Sequence, residues 1–177
     1  MKKLILLTLV VGFFLNCEAQ KVSAEKDAEG WYNLFNGENL DNWKFNEKEG
    51  TFSVTDGMIK VNGDRSHLFY DGPVENHEFK NFELQVDVMT KPNSNSGVYF
   101  HTKYQKDGWP EKGYEVQVNN SHGDWRRTSG LYAVKDMKKV PTKDNEWFTM
   151  YISVKGKHIV TKLNGVISVD YIEPENV

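Results

Sequence analysis

The stretch HIVTKLNGVISVDYI, residues 158–172, decides the fold class of this chain. Two runs rich in β-branched residues, 158–163 and 166–172, flank Asn164-Gly165, which is the dipeptide most typical of a two-residue hairpin turn. The sequence therefore predicts an antiparallel β-hairpin over residues 158–172.

Turn signals rich in Asn, Asp and Gly punctuate the chain before this hairpin, at a spacing of roughly eight to twelve residues. Short strand-like runs lie between them, at 51–54, 58–61, 82–89, 97–103, 114–119 and 147–154. No segment has the periodicity of a long amphipathic helix. We expect an all-β fold, a two-sheet antiparallel sandwich of the jelly-roll kind.

Composition limits the number of domains and the class of partner. The chain has 177 residues, is 38% hydrophobic and carries a net charge of -3, which suffices for one sizeable core and requires no second domain. Because there is no basic excess and no Lys/Arg cluster beyond Trp125-Arg126-Arg127, we expect no nucleic-acid partner. The aromatic share of 13% is compatible with both a sandwich core and a sugar-binding surface.

The first nineteen residues have the pattern of an export signal. Lys2 and Lys3 precede an apolar run, 4–15, that is too short for an ordinary membrane span but suits a secretory signal. We expect residues 1–19 to be this signal peptide, with two open outcomes. A lipid on Cys17 would give a membrane-attached lipoprotein of the periplasm, outer membrane or cell surface, whereas cleavage after Ala19 would give a secreted protein.

The remaining chain divides into a tether and one domain. Residues 20–29 are charged or small and lack strand periodicity, so they are expected to be a tether. Residues 30–177 are expected to form the β-sandwich domain.

The alternating run 113–119 offers a candidate site. Successive side chains of a strand point to opposite faces, so Glu115, Gln117 and Asn119 share a polar face opposite an apolar one. A carboxylate can act as a general base, or as an acid if burial raises its pKa, while amides beside it hydrogen-bond hydroxyls or an oxyanion. A solvated outer face is the alternative interpretation of the same pattern.

A second run, 95–101, places Gly97, Tyr99 and His101 on one face of another predicted strand. If the two strands are adjacent, Tyr99 and His101 share a concave floor with Glu115. His101 is then a candidate proton donor, metal ligand or sugar contact, and the alternative is a structural or surface histidine.

Two polar loops each carry a tryptophan, Trp109 in one and Trp125 in the other. Such a loop suits stacking on a sugar ring with hydrogen bonds to its hydroxyls, although each Trp could instead close an end of the sandwich. We favour a rim position for Trp125 and leave Trp109 open. The candidate substrate-binding residues are Tyr99, Asn95, Asn119, Trp125, Arg127 and Tyr132.

Several motif-based classes have no support in this sequence. It has no Gly-rich phosphate loop, no Cys/His zinc spacing and no Gly-x-Ser-x-Gly elbow. Several cofactor-based classes therefore lose their usual sequence support, no cofactor is certain from the sequence, and a divalent cation at the site is left open.

An ordered set of motifs carries a family resemblance. The motifs are Gly30-Trp31-x-x-Leu34-Phe35-Asn36-Gly37, Asp56-Gly57-Met58-Ile59, Asn95-Ser96-Gly97-Val98-Tyr99-Phe100, Gly113-Tyr114-Glu115-Val116-Gln117 and Leu163-Asn164-Gly165. In this order and spacing the chain resembles the bacterial 3-keto-disaccharide hydrolase family. The resemblance implies a concanavalin A-like lectin/glucanase jelly roll, export, and hydrolysis or elimination of glycosides oxidised at the sugar 3-position. It also implies Glu115 and Gln117 as the site pair.

Two departures from the family pattern accompany this resemblance. Family members often carry Arg at the position of His101. They also usually continue into a further strand, and this sequence ends at Val177 before such a segment. The sandwich domain is therefore expected to lack the family's final strand.

These observations lead to one functional hypothesis and one alternative. Glu115, Gln117 and His101 are the candidate catalytic residues of an enzyme that cleaves 3-keto-glycosides. A ketone acidifies the proton on the adjacent carbon, so Glu115 as base, with His101 or a divalent cation at the carbonyl, would permit loss of the anomeric substituent. The alternative is a non-catalytic lectin-like carbohydrate-binding module, because the strand carries one carboxylate whereas a retaining glycosidase uses a pair about 5 Å apart.

Overall fold

The structure, a computed structural model, describes residues 25–175. Its strands are β1 Trp43–Phe45, β2 Phe52–Thr55, β3 Met58–Val61, β4 Leu68–Tyr70, β5 Phe82–Met89, β6 Ser96–Phe100, β7 Tyr114–Val118, β8 Arg127–Leu131, β9 Lys135–Met137, β10 Trp147–Lys155, β11 His158–Leu163 and β12 Val166–Ile172. Two single-turn 3-10 helices lie at Glu49–Thr51 and Val74–His77. No helix in the described part of the chain is long and apolar enough to cross a membrane. The predicted signal peptide, Cys17 and residues 20–24 lie outside the described residues.

Eight of these strands form two four-stranded antiparallel sheets. Sheet I has the strand order β12-β11-β10-β5, and sheet II has the order β6-β7-β8-β9. The other four strands pair as two-stranded antiparallel ribbons, β1 with β4 and β2 with β3. The predicted all-β, two-sheet antiparallel sandwich is therefore confirmed.

The hairpin predicted from the sequence is the β11–β12 pair. Leu163 lies opposite Val166, so Asn164 and Gly165 are the two turn residues. Their φ values of 48° and 80° are both positive, as a primed hairpin turn requires. Asn and Gly tolerate this left-handed backbone better than other residues do, which is why the dipeptide predicts the turn.

The core lies between the two sheets and follows the alternation of the strands. Every second residue of β10 is buried, and the residues between them face outward. The buried core residues of sheet I are Phe148, Met150, Ile152, Val154, Ile159, Leu163 and Val169, and those of sheet II are Phe100, Val116, Val118 and Leu131. The alternate residues of β6 and β7, including Glu115 and Tyr99, therefore lie on the outer face of sheet II.

Four strands do not follow from the sequence pattern. β8 and β9 lie in and after a segment that reads as a polar loop, and β8 is bulged, with Ser129 at φ 70°. The bulge breaks the period-2 alternation by which strands are recognised. β1 and β4 are three residues each, too short for a periodic pattern.

One predicted strand is too long. The run 97–103 was expected to be extended throughout, but β6 ends at Phe100 because His101 adopts φ 56°. A positive φ turns the chain out of the extended conformation. His101 therefore does not continue the face on which Tyr99 lies.

We predict that Ile152→Ala destabilises the sandwich by about 2–5 kcal/mol, because it leaves a cavity between the sheets at a fully buried position. Urea denaturation followed by tryptophan fluorescence measures the change. The matched control is Ile172→Ala on β12, whose residue is 70% exposed and should cost within about 0.5 kcal/mol. Equal losses at the two positions would contradict the assignment of the core.

Candidate active site

Three residues form a row across the outer face of sheet II. Tyr99 on β6 lies opposite Glu115 on β7. On the other side, the backbone N–H of Tyr132, which follows β8, donates to the carbonyl of Glu115 at 2.9 Å. Because neighbouring strands lie about 4.8 Å apart, this register places the Glu115 carboxylate between two tyrosines.

Gly97 gives the Glu115 side chain its place on the sheet. A Cβ at Gly97 would meet the Glu115 carboxylate oxygen Oε1 at 2.3 Å and its Cγ at 2.6 Å. The carboxylate therefore lies across the surface of β6, in space that any larger residue at this position would occupy. The backbone of Gly97 does not adopt a positive φ, so glycine is needed at this position only because it has no side chain.

The surroundings of Glu115 perturb its protonation. Burial raises the pKa of the half-buried carboxyl above its ordinary value, and the nearby Asp124 charge acts in the same direction. The Tyr99 hydroxyl, which hydrogen-bonds the carboxylate, and the Arg126 charge oppose the rise. The pKa of Tyr99 is itself raised, by burial first and then by the Glu115 charge. Tyr99 therefore stays a hydrogen-bond donor at any physiological pH.

The buried side chain of Gln117 holds the side chain of Asn95 by a hydrogen bond. The Gln117 side chain is 2% exposed, and its Nε2 donates to Asn95 Oδ1 at 2.6 Å. Its Oε1 is buried without a hydrogen-bond partner among the described residues. Asn95 is exposed at the entry to β6, so the amide that a ligand can reach is that of Asn95.

A guanidinium and two aromatic rings form what we call the Arg126 wall, comprising Trp125, Arg126 and Tyr132. The Arg126 guanidinium lies 4.9 Å from the Trp125 ring centroid and 4.5 Å from that of Tyr132. Its nitrogens approach Asp124 at 3.6 Å and Asp136 at 3.2 Å. Trp125 remains 48% exposed, so the wall offers an open aromatic surface beside Glu115.

Two of the expected substrate-binding residues instead shape the loop 119–127. Asn119 is fully buried, and its Nδ2 donates to the carbonyls of Asp124 at 3.0 Å and Arg126 at 2.7 Å. Arg127 donates to the carbonyls of His122 and Asp124. The expectation that Asn119 lies on an open polar face is therefore corrected. The polar groups of both residues hold the loop that carries Trp125 and Arg126.

The structure does not bring His101 into the row. Its Nε2 lies 2.9 Å from the carbonyl oxygen of Lys80, and its ring packs against Phe82 and Phe100. Phe100 faces the core, opposite to Tyr99. The positive φ at His101 is the physical reason for this difference from the sequence-based expectation.

A different histidine, His67, lies beside the row. Its ring packs edge-to-face against Tyr99, with ring centroids 5.2 Å apart, and against Trp109 at 5.3 Å. Sequence reasoning did not single out His67, because it precedes β4, whose three residues give no periodic signal. We call His67 and Trp109 the Trp109 wall.

The described residues 25–175 contain no group of three or more His, Cys, Asp or Glu side chains that could hold a metal ion. The divalent cation that the sequence leaves open stays a prediction.

Fold and site together define a class: an antiparallel β-sandwich with one perturbed carboxylate on the outer face of a sheet, between two aromatic walls suited to a sugar. Residues 30–177 match the 3-keto-alpha-glucoside-1,2-lyase-like domain, and the chain belongs to this family. The family resemblance seen in the sequence is thereby confirmed.

Individual relatives are more distant. The chain is 29% identical over 128 residues to a 3-keto-disaccharide hydrolase of Bacteroides thetaiotaomicron, an alignment covering 60% of this chain and 43% of that protein. The chain thus spans less than half the length of this curated relative. Crystal structures of two proposed glycosyl hydrolases from Parabacteroides distasonis share the fold. One has a TM-score of 0.71 at 24% identity, covering 84% of this chain and 75% of that one. The other has a TM-score of 0.65 at 29% identity, covering 80% and 72%.

We predict that Glu115→Gln stabilises the fold at neutral pH. A carboxyl whose pKa is raised by folding binds its proton more tightly in the native state, so its contribution is present below the unfolded pKa and lost as pH rises through the folded pKa. The amide of the Gln variant carries no charge, so folding the variant at neutral pH does not incur this loss of stability. The variant should therefore have a higher Tm than the wild type at pH 7.5. The difference in Tm should vanish at about pH 3.5, below the unfolded pKa of Glu.

The matched control is Glu83→Gln on the outer face of sheet I. A hydrogen bond from Lys155 is the first cause that lowers the pKa of Glu83, so the sign reverses and this variant should lose stability at neutral pH. A Glu115→Gln variant less stable than the wild type at pH 7.5 would contradict the burial of its charge.

Proposed function

We propose that this chain cleaves 3-keto-glycosides by elimination across C1 and C2 of the oxidised sugar, with Glu115 as the base. The observation that carries the proposal is the half-buried Glu115 carboxylate, whose pKa is raised and which lies between a tyrosine donor and the charges of Asp124 and Arg126. Membership of the 1,2-lyase-like family and the name of the Bacteroides relative support the substrate class.

The first step is removal of the proton on C2. This proton is acidified by the ketone at C3, and the Glu115 carboxylate accepts it. The electron pair of the C2–H bond forms a C2=C3 double bond, and the carbonyl electrons move onto the C3 oxygen. Arg126, the cation that acts electrostatically on Glu115, stabilises the resulting negative charge.

The second step expels the leaving group. The enolate re-forms the C3 carbonyl, its electron pair forms a C1=C2 double bond, and the bond between C1 and the glycosidic oxygen breaks. The leaving oxygen takes its proton from the newly protonated Glu115. A carboxyl that serves first as base and then as acid works best with a pKa nearer the operating pH, which is the direction that burial gives. Addition of water across C1=C2 would complete a net hydrolysis.

The remaining residues of the row hold the substrate. Tyr99 keeps its proton and orients the Glu115 carboxylate by its hydrogen bond. Asn95, braced by Gln117, presents an amide to sugar hydroxyls. Trp125 and Tyr132 supply an aromatic surface for a sugar face.

A non-catalytic carbohydrate-binding module is the second candidate. The exposed rings of Trp109 and Trp125 on the two walls would serve binding without chemistry equally well. Binding alone gives no reason for the half-buried carboxylate with its raised pKa, and a turnover assay separates the two functions.

We predict that Glu115→Gln lowers kcat by about 10²–10⁴-fold, since the variant lacks a proton acceptor at C2. Release of the leaving sugar from a 3-keto-disaccharide, followed by chromatography, measures turnover. In the wild type the acid limb of the kcat/KM profile should lie above the ordinary Glu pKa, because the carboxylate form is lost as pH falls through a raised pKa. Undiminished turnover in the variant would remove Glu115 as the base.

Two controls accompany this assay. Glu83→Gln, on the opposite sheet, should leave kcat unchanged. The same measurements in EDTA separate the protein groups from a divalent cation, and loss of wild-type turnover in EDTA would assign the carbonyl to a bound metal.

We predict that Gly97→Ala abolishes most turnover while the fold survives. The added methyl occupies the place of the Glu115 carboxylate, which is the flexible end of a side chain and can move away without disturbing the core. An expected drop in kcat of about 10²-fold follows from a displaced base. Gly50→Ala, where a Cβ would meet nothing within 4 Å, is the matched control. Full activity in Gly97→Ala would show that the carboxylate does not work from its position over β6.

A further inference from the structure

The two aromatic walls lie on opposite sides of Glu115. Strand order β6-β7-β8 places Tyr99 on one side of Glu115 and Tyr132 on the other. The Arg126 wall is built on Tyr132, whereas the Trp109 wall packs against Tyr99 through His67. A ligand centred on Glu115 therefore meets a different wall in each direction across the sheet.

The two walls differ in charge. On the Arg126 wall the guanidinium lies over two aromatic rings and between two carboxylates, Asp124 at 3.6 Å and Asp136 at 3.2 Å. Beside the Trp109 wall the cation is Arg65, which lies over one face of the Trp109 ring, 5.6 Å from its centroid, and forms a two-contact ion pair with Glu47 at 2.5 and 3.1 Å. Burial lowers the pKa of His67, with Glu47 opposing and Arg65 adding to the fall, so its ring is neutral at pH 7. Of the two cations, Arg126 is the one that acts on the charge of Glu115, although Asp124 beside it acts more strongly in the opposite direction. We therefore place the C3 oxygen on the Arg126 side.

The substrate also has two different sides, which can be matched to the two walls. In a 3-keto-glycoside the carbon that loses its proton, C2, has the ketone carbon C3 on one side and the anomeric carbon C1 on the other. With C2 over Glu115 and the C3 oxygen toward Arg126, the anomeric substituent points toward Tyr99 and the Trp109 wall.

We propose that Trp109 and His67 form the subsite that binds the leaving sugar of a 3-keto-disaccharide. The proposal rests on the elimination proposed above and adds the part of the substrate that is released. A sugar ring stacks on the face of Trp109 that Arg65 leaves free, and His67 donates a hydrogen bond to one of the sugar oxygens.

Hydrogen bonds from Gln105 and Asn46 fix the backbone of the Trp109 wall. Gln105 Nε2 donates to the carbonyls of Asp107 and Trp109 at 2.8 and 2.7 Å, and its Oε1 accepts from the Glu111 N–H. Asn46, which is buried, accepts from the backbone N–H of His67 and donates to the carbonyl of Gln105. The loop bearing Trp109 is thus fixed from inside, although the Trp109 side chain is 61% exposed.

The tautomer of His67 follows from its surroundings. Its Nδ1 is buried and has no hydrogen-bond partner among the described residues. A buried acceptor without a partner is tolerated better than a buried N–H, which favours the proton on Nε2. A neutral imidazole with its proton on Nε2 is a donor suited to a sugar hydroxyl or glycosidic oxygen.

The test compares two substrates that share the oxidised glucose, a 3-keto-disaccharide and the methyl 3-keto-glucoside. Trp109→Ala should lower kcat/KM for the disaccharide by about 10-fold and leave the methyl glycoside within about 2-fold. His67→Phe keeps the ring packing but removes both nitrogens, and it should raise KM for the disaccharide alone. Trp125→Ala should impair both substrates.

Trp147→Ala is the matched control, because this residue is 53% exposed on β10 of sheet I. Equal losses on both substrates in Trp109→Ala, or no loss on either, would overturn the subsite. If the wild type turned over neither substrate, the proposed reaction would fail, and the subsite would be judged by calorimetric titration with the unoxidised disaccharide. Weaker binding in Trp109→Ala than in Trp147→Ala supports it, and equal affinity overturns it.

Discussion

The site depends on one cross-strand contact, the hydrogen bond between Tyr99 on β6 and the half-buried Glu115 carboxylate on β7. This contact exists only in the observed register, because a slip of one residue would turn Glu115 toward the core and Val116 toward the site. The core side of the same strands fixes the register, since Phe100, Val116 and Val118 pack between the sheets. The hydrophobic pattern of the sandwich thereby positions the carboxylate on its outer face.

The parts of the fold that depend on local sequence patterns could be predicted. Alternation over β5, β7 and β10 and the Asn164-Gly165 turn give strands whose bounds match the structure closely. The same alternation correctly separates Glu115 and Gln117 from the core residues of β7. It does not distinguish an exposed amide from a buried one, and Gln117 proves to be buried beneath Asn95.

The rest of the site depends on contacts between distant segments, and no local pattern contains them. His101 follows the period-2 pattern of β6, yet a single positive φ moves it to the other side of the strand. His67 follows no pattern and reaches Tyr99 because the β1–β4 ribbon and Asn46 place it there. Residue type suggested a histidine near Glu115, and the structure places His67 and not His101 against Tyr99.

The residues around Glu115 include buried polar atoms that have no hydrogen bond, which lowers the stability of the fold. In the described part of the chain four buried side-chain polar atoms lack a hydrogen bond, and three of them belong to His67, Gln117 and Arg126. The Arg126 Nε lies 3.2 Å from Asp136 as an ion pair but without hydrogen-bond geometry. Each such atom costs about 1–3 kcal/mol when no water or ligand satisfies it. None of the four atoms belongs to the residues of the hydrophobic core between the sheets. The packing of the sandwich therefore offsets the cost of unpaired polar groups that lie around the row of Tyr99, Glu115 and Tyr132.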